Sequence, residues 1–365
     1  MKHGWLRRTL ILLIAVGLCA GMVFYSRNGP EAPESGSLTL WYVEGDCPSQ
    51  VMESLLTRCR KETGIQVKAT AFANEAFLAA AFEGTTGMAL ELPDMLFCSH
   101  MRAALFEQRG SLTEIASPLP ISDSLVDVRP ALGRVFFPIG LRLPVVLVNT
   151  LLTDGNFDSF EALLTAAGDA PFLGCDCWAE LLYTEAAAMG VRLTGEPEQD
   201  FADAQVAELY NELAMSVFRG GLVCAEHPVE YVRQGLLPCA VTTSTELSGL
   251  SDKALDVCLL PLPEVSEIRY PAELMGFALL DGADTGTAEA FFRWLWSGAC
   301  TDAATEACMA PIIRIDSRSA RKGLGARLNT LTENLPLFLP EGDEPFTLNR
   351  AAFEDWLREA LDLLN

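Results

Sequence analysis

Residues 38–46 read LTLWYVEGD. Three apolar or β-branched residues lead into two large aromatics and Val43, and the run breaks at an acidic turn, Glu44-Gly45-Asp46. The pattern predicts a buried strand at the start of a domain. Side chains alternate along a strand, so Trp41 and Tyr42 face opposite ways. Two readings of this strand end stand side by side. The aromatics pack the core, or the loop forms the rim of a ligand cleft.

The segments that follow set the fold class. Residues 50–62 have helical spacing and stop at Thr63-Gly64. A second strand covers 65–71, and an Ala-rich helix covers 74–83. The stretch LPDMLFCS is a third strand entered through Pro93-Asp94, and a helix over 101–109 closes at Gly110. This β-α-β-α-β-α order predicts a parallel sheet covered by helices. In such sheets ligands bind beyond the carboxyl ends of the strands. Those ends are 41–46 and 97–100, and both are polar and aromatic.

Residues 136–152, FFPIGLRLPVVLVNTLL, are apolar and extended with two prolines, which suits a crossing between two lobes. Further on come a helix beginning near Asp158 or Ser159 and a short strand ending in the Cys175-Asp176-Cys177 turn. An amphipathic helix near 201–219 and a strand ending at Thr242-Thr243-Ser244 follow. After these stand a strand within 255–265 and a strand, turn and helix over 273–298. The tail is helical, most clearly over 349–364. No internal repeat appears.

The chain has 365 residues, enough for two domains. It is 50% hydrophobic, with a mean hydropathy of +0.23, so a large core is expected. The formal charge of −23 repels phosphate backbones and excludes nucleic acid as a partner. The N-terminus is basic (Lys2, Arg7, Arg8), then uncharged over 9–25. That length lies between a signal h-region and a membrane span. The basic side stays cytoplasmic and sends the body outside. Cys19 follows Leu18, which spoils a lipidation site, and Cys19-Ala20-Gly21 fits a cleavage site loosely. A retained anchor over 1–27 with a linker over 28–37 is the favoured reading. Of eleven cysteines ten lie beyond the anchor, with no C-x-x-C pair, and only three His exist. Most are read as small apolar core residues.

No catalytic constellation is present: no G-x-G-x-x-G, P-loop, H-E-x-x-H or G-x-S-x-G. His100 and His227 lack a nucleophile in context. Glu44 and Asp46 are a carboxylate pair of the kind a glycosidase uses, but an acidic ligand loop or a solvated turn is commoner. Cys175 and Cys177 lack a His partner for a metal site. No enzyme activity, cofactor or metal is expected.

The order of segments resembles the extracellular solute-binding proteins of ABC importers, in the family that includes maltose-binding protein and other sugar binders. The markers are LTLWYVEGD, CRKETGIQVKAT, LPDMLFCSHMRAALFEQRGSLTEI, FPIGLRLPVVLVNTLL, FDSFEALL, YVRQGLLPCAVTT and ELMGFALLDGADTGTAEAFFRWLWSG. They run from Leu38 to the C-terminus. The resemblance implies an α/β, two-lobe periplasmic-binding-protein-like fold of type II, closing by a hinge on a ligand. Lobe 1 is expected over 38–141 plus 277–314, and lobe 2 over 142–276 plus 315–365. It implies a monomer at the outer face of the membrane, a sugar or oligosaccharide ligand and an ABC permease as partner.

The expected ligand-binding residues are Trp41, Glu44, Asp46, Ser99, His100, Arg142, Trp178, Thr243, Ser244 and Met275. Trp178 follows the turn where family members carry an aromatic that stacks on sugar. Thr242 and Glu273 stand beside this set. Trp294 and Trp296 share a helix with Phe291 and Phe292 and are assigned to core, and Trp356 lies in the tail helix, where packing outweighs capping of the cleft as its reading. Arg142 departs from the sugar binders, and a cation there suits an anionic ligand. Two rivals stay open: a sensory or structural ectodomain with the same fold, and a carboxylate-dependent hydrolase.

Overall fold

A computed structural model describes residues 36–82, 92–108, 110–115, 135–155, 157, 160–167, 170–176, 181–182, 186, 200, 202–225, 227–260, 270–312, 323–332, 337–338 and 356–360. The expected anchor, most of the linker and Trp178 lie outside these.

Strand β1 (Ser37–Val43) leads to helix α1 (Ser49–Thr63), strand β2 (Gln66–Phe72) and helix α2 (Glu75–Phe82). Strand β3 (Met95–Ser99) and helix α3 (His100–Gln108) complete the run read from the sequence. Local chemistry accounts for the joints. Gly64 takes a left-handed φ of 81° and its N–H donates to the Arg60 carbonyl, closing α1. The Asp94 carboxylate accepts from the Thr39 amide at 2.7 Å and the Thr39 hydroxyl at 2.8 Å, stapling the entry of β3 to β1.

Strands β4 (Phe136–Arg142) and β5 (Pro144–Asn149) follow, separated only by Leu143. Then come α4 (Phe160–Ala167), β6 (Leu173–Cys175), α5 (Ala204–Phe218), β7 (Leu222–Cys224), α6 (Pro228–Arg233) and β8 (Cys239–Thr243). A 3-10 turn (Ser244–Leu247) continues β8. The remaining strands and helices are β9 (Leu255–Leu259), β10 (Tyr270–Pro271), β11 (Glu273–Leu279), α7 (Thr285–Trp294), α8 (Cys300–Glu306), β12 (Ala310–Pro311), α9 (Leu324–Leu331) and β13 (Leu337–Phe338).

The strands form two main sheets, β12-β4-β11-β3-β1-β2 and β7-β6-β8-β5-β9, with β10 and β13 paired apart. In the first sheet β1 is parallel to β2 and β3, while β11 enters antiparallel between β3 and β4. In the second, β6 is parallel to β7 and β8, while β5 enters antiparallel between β8 and β9. β11 and β5 are each delivered by a crossing of the chain, and β12, antiparallel to β4, is a second antiparallel strand at the edge of the first sheet. The crossings pass at Leu143, where β4 hands over to β5, and at Ala272, where β11 begins. This mixed α/β architecture, two sheets flanked by helices, is the type II periplasmic-binding-protein fold.

Alternation on β1 holds, and both faces are covered. Trp41 packs with Phe72 and Phe82 in edge-on contacts, each with centroids 5.2 Å apart. Tyr42 lies with Met52, Phe97 and Phe277 in the cluster on the other face. Trp294 is buried in that cluster, and Trp296 packs against it, as the sequence suggests.

Candidate functional site

The parallel strands of each sheet end along one polar edge. On the first sheet, β1 runs into Glu44-Gly45-Asp46, β3 into Ser99 and His100, and β4 ends at Arg142. Because β11 is antiparallel, its first residue, Glu273, lies at the same edge opposite Arg142. On the second sheet, β6 runs into Asp176 and β8 into Thr243 and Ser244. The two edges touch where the Thr245 hydroxyl donates to the Gly45 carbonyl at 3.1 Å.

A charged cluster occupies the first sheet's edge. Arg142 Nη1 donates to Asp46 Oδ1 at 2.7 Å, and Arg142 Nε donates to Glu273 Oε2 at 2.5 Å. The Asp46, Arg142 and Glu273 side chains are 5%, 17% and 13% exposed. Burial pushes the Asp46 carboxyl above its ordinary range, against the pull of the Arg142 and Arg102 cations. Burial likewise pulls the Arg102 guanidinium down, while Asp46 and Glu273 hold it up. Arg102, on the first turn of α3, pairs with Glu75 at the start of α2. Its Nη1 is buried without a hydrogen-bond partner among the described residues.

The other polar groups are held by the backbone around them. His100 is buried, and its Nδ1 accepts the Leu274 amide at 3.1 Å, which leaves the proton of a neutral imidazole on Nε2. Ser99 Oγ accepts the Arg102 amide at 3.4 Å. The Ser244 hydroxyl accepts the Leu143 amide at 3.2 Å, and the Ser244 amide donates to the Leu143 carbonyl at 2.7 Å. Ser244 therefore braces the crossing at Leu143. The Thr243 hydroxyl lies 3.3 Å from that of Thr245, and Thr242 donates to Asp176 at 3.3 Å.

Several expected site residues lie elsewhere than at a rim. Trp41 is 4% exposed, and its ring is enclosed by Phe72 and Phe82, so packing is the reading that stands. Met275 is fully buried in the core. An apolar side chain two positions along β11 from Glu273 gains more from burial than from lining a wet edge. Arg142 does reach the edge, but its guanidinium is held by two carboxylates of the chain itself rather than offered to an anion. Glu44 is exposed and Asp46 buried, so the two acids of the loop have different environments. Arg102 and Thr245 were not singled out in the sequence. A cation in the first turn of a helix opposes the helix dipole, and that signal marks Arg102.

The arrangement offers hydroxyls, one buried imidazole and a floor whose buried charges balance. Among the described residues no group of three or more His, Cys, Asp or Glu is placed to hold a metal ion.

No family model matches the chain, and no curated protein is similar to it in sequence. Its fold does match solved structures. The bacterial solute receptor AcbH, with an exclusive preference for β-D-galactopyranose, superposes with a TM-score of 0.66 at 13% identity, over 91% of this chain and 99% of the receptor. An ABC substrate-binding protein of Listeria monocytogenes, solved with cycloalternan, gives 0.65 at 12% identity, over 91% of this chain and 99% of the other. The spermidine/putrescine substrate-binding protein PotD of Streptococcus pneumoniae gives 0.59 at 15% identity, over 90% and 98%. These neighbours are binding proteins rather than enzymes, and the chain is similar to them along almost its whole length in fold.

Proposed function

We propose that the protein is an extracytoplasmic solute-binding protein. It captures a small polar ligand, a carbohydrate, between two lobes and presents it to an ABC permease; no bond is broken. The observation that carries this reading is the convergence of both sheets' strand ends on one polar edge, each sheet threaded by one crossing strand. Two lobes joined by short crossings at Leu143 and Ala272 are able to hinge, and a ligand that touches both shifts the balance toward the closed form. The first lobe comprises the six-stranded sheet and its helices, the second the five-stranded sheet and its helices. The basic, apolar N-terminal segment holds the body at the outer face of the membrane, and the protein acts as a monomer.

Sugar and polyamine binders share this fold, so the ligand class has to come from this chain's own edge. A floor whose buried carboxylates are already neutralised favours a neutral, hydroxyl-rich ligand, with Ser99, Thr243 and the open Glu44 supplying polar contacts. Trp178 is the residue proposed to stack on a sugar face. The test is thermal unfolding of the purified chain against sugars, oligosaccharides, amino acids, polyamines and organic anions. A ligand bound only by the native state raises the melting temperature. A saturable shift with sugars, lost in Trp178→Ala, is the expected result. No shift with any class would overturn the binding reading in favour of a sensory or structural ectodomain.

A further inference from the structure

We propose that Arg142 is a built-in cation that sets the ligand class. It fills the place between Asp46 and Glu273 where a ligand's ammonium group would sit, so the cleft takes uncharged polyols and excludes polyamines and other organic cations. The ligand half of this inference rests on the solute-binding reading; the occupancy of the carboxylate pair by an internal cation does not.

Three separate segments build the device: the loop after β1, the end of β4 and the start of β11. Each brings one charged side chain, and Arg142 meets both carboxylates within hydrogen-bond distance. Asp46 is buried and Glu273 is largely shielded from water. Two desolvated carboxylates at one edge repel and require a cation between them. An open pair of this kind is a ready receptor for an amine, and here a fork of planar N–H donors is already in place. Arg102 strengthens the exclusion. Its charge acts on both Asp46 and Glu273 from the neighbouring helix, although Arg102 is itself paired with Glu75. Arg102 Nη1 is a buried donor with no acceptor among the described residues. A protonated amine brings only donors, whereas a hydroxyl also brings lone pairs. A chain with net charge −23 draws cations to its surface. Rejecting them at the floor therefore needs a local repulsive element.

The experiment uses the full chain in detergent and compares wild type, Arg142→Ala and Arg142→Lys by thermal unfolding and calorimetric titration. The probes are putrescine, spermidine, ethylguanidinium and a panel of neutral sugars. Wild type and Arg142→Lys are expected to show no saturable shift with the cations. Arg142→Ala should bind ethylguanidinium or putrescine at least about tenfold more tightly than wild type, because a charge-assisted contact becomes available. Should Arg142→Ala not stay folded alone, its refolding yield with and without ethylguanidinium reads the same quantity. Saturable binding of putrescine or spermidine by wild type would overturn the proposal. So would a folded Arg142→Ala that gains nothing. Cation gain in Arg142→Ala with no neutral sugar binding to wild type would retain the internal cation but overturn the assignment of ligand class.

Discussion

Trp41 shows how a residue suited to a sugar site comes to serve the core. Its ring lies edge-on to Phe72 and Phe82 and is closed off from solvent, so its contribution is packing. Trp41→Ala is expected to lower stability by about 3–5 kcal/mol in urea unfolding, as for other buried aromatics cut to Ala. A loss well under that range would mean the ring is not enclosed in solution. Glu62 carries a pH signature. Its carboxylate accepts the Trp294 indole N–H at 2.8 Å and Arg58 Nε at 3.0 Å, and these bonds, the indole's first, hold its pKa below the ordinary 4.5. A carboxylate with a lowered folded pKa contributes stability above its unfolded value and loses it as pH falls through the folded one. Glu62→Gln should therefore flatten the acid limb of the stability curve below about pH 4.5 and leave the neutral region nearly parallel to wild type. An unchanged acid limb would count against the indole contact. Most of the described cysteines follow the sequence reading as small apolar core residues, while Cys224 is exposed and Cys258 half-buried. Burial pushes the Cys47, Cys239 and Cys308 thiols up to about 12, which keeps them protonated and inert at neutral pH.

At the scale of elements, β11 is the strand that joins the first sheet together. It pairs with β3 on one side and β4 on the other, with a register shift between Met275 and Gly276. At that shift a Cβ on Gly276 would lie 2.1 Å from the Phe137 carbonyl oxygen and 2.7 Å from Pro138 Cα. Those are backbone atoms of the paired strand and cannot step aside. Gly276→Ala should break the β11–β4 ladder, displace Glu273 from Arg142 and sharply reduce the yield of folded protein. A variant as stable as wild type by calorimetry would show that the strands sit further apart. The helices depend more on local chemistry. Asp203 accepts the Gln205 amide at 2.9 Å and caps α5, and Asp203→Ala is expected to cost about 1 kcal/mol in urea unfolding. A cost near zero would argue that α5 is held by its buried face alone.

Over the whole molecule, the described residues form two sheets whose strand order matches over five strands, with crossings at Leu143 and Ala272. Closure of such a body on a ligand should reduce its radius of gyration in small-angle scattering, and saturation should track the thermal shift. A ligand that raises the melting temperature without compaction would bind one lobe alone. Much of this architecture is written locally. The β-α-β-α-β-α opening, the stop at Gly64, the entry at Pro93-Asp94 and the extended crossing before Asn149 all follow from apolar periodicity and turn chemistry. So do the burial of most of the described cysteines and the polar character of the strand ends. What local pattern leaves open is which strands become neighbours. Arg142 finds Asp46 across 96 residues and Glu273 across 131. Its sequence neighbours say only that a cation ends a strand. Whether that cation faces a ligand or is held by its own chain depends on β11 entering antiparallel between β3 and β4. The same insertion buries Met275 and brings the Leu274 amide to His100. Side-chain period reports the two faces of a strand, but strand pairing is decided by the packing of distant segments, and only the tertiary structure contains it.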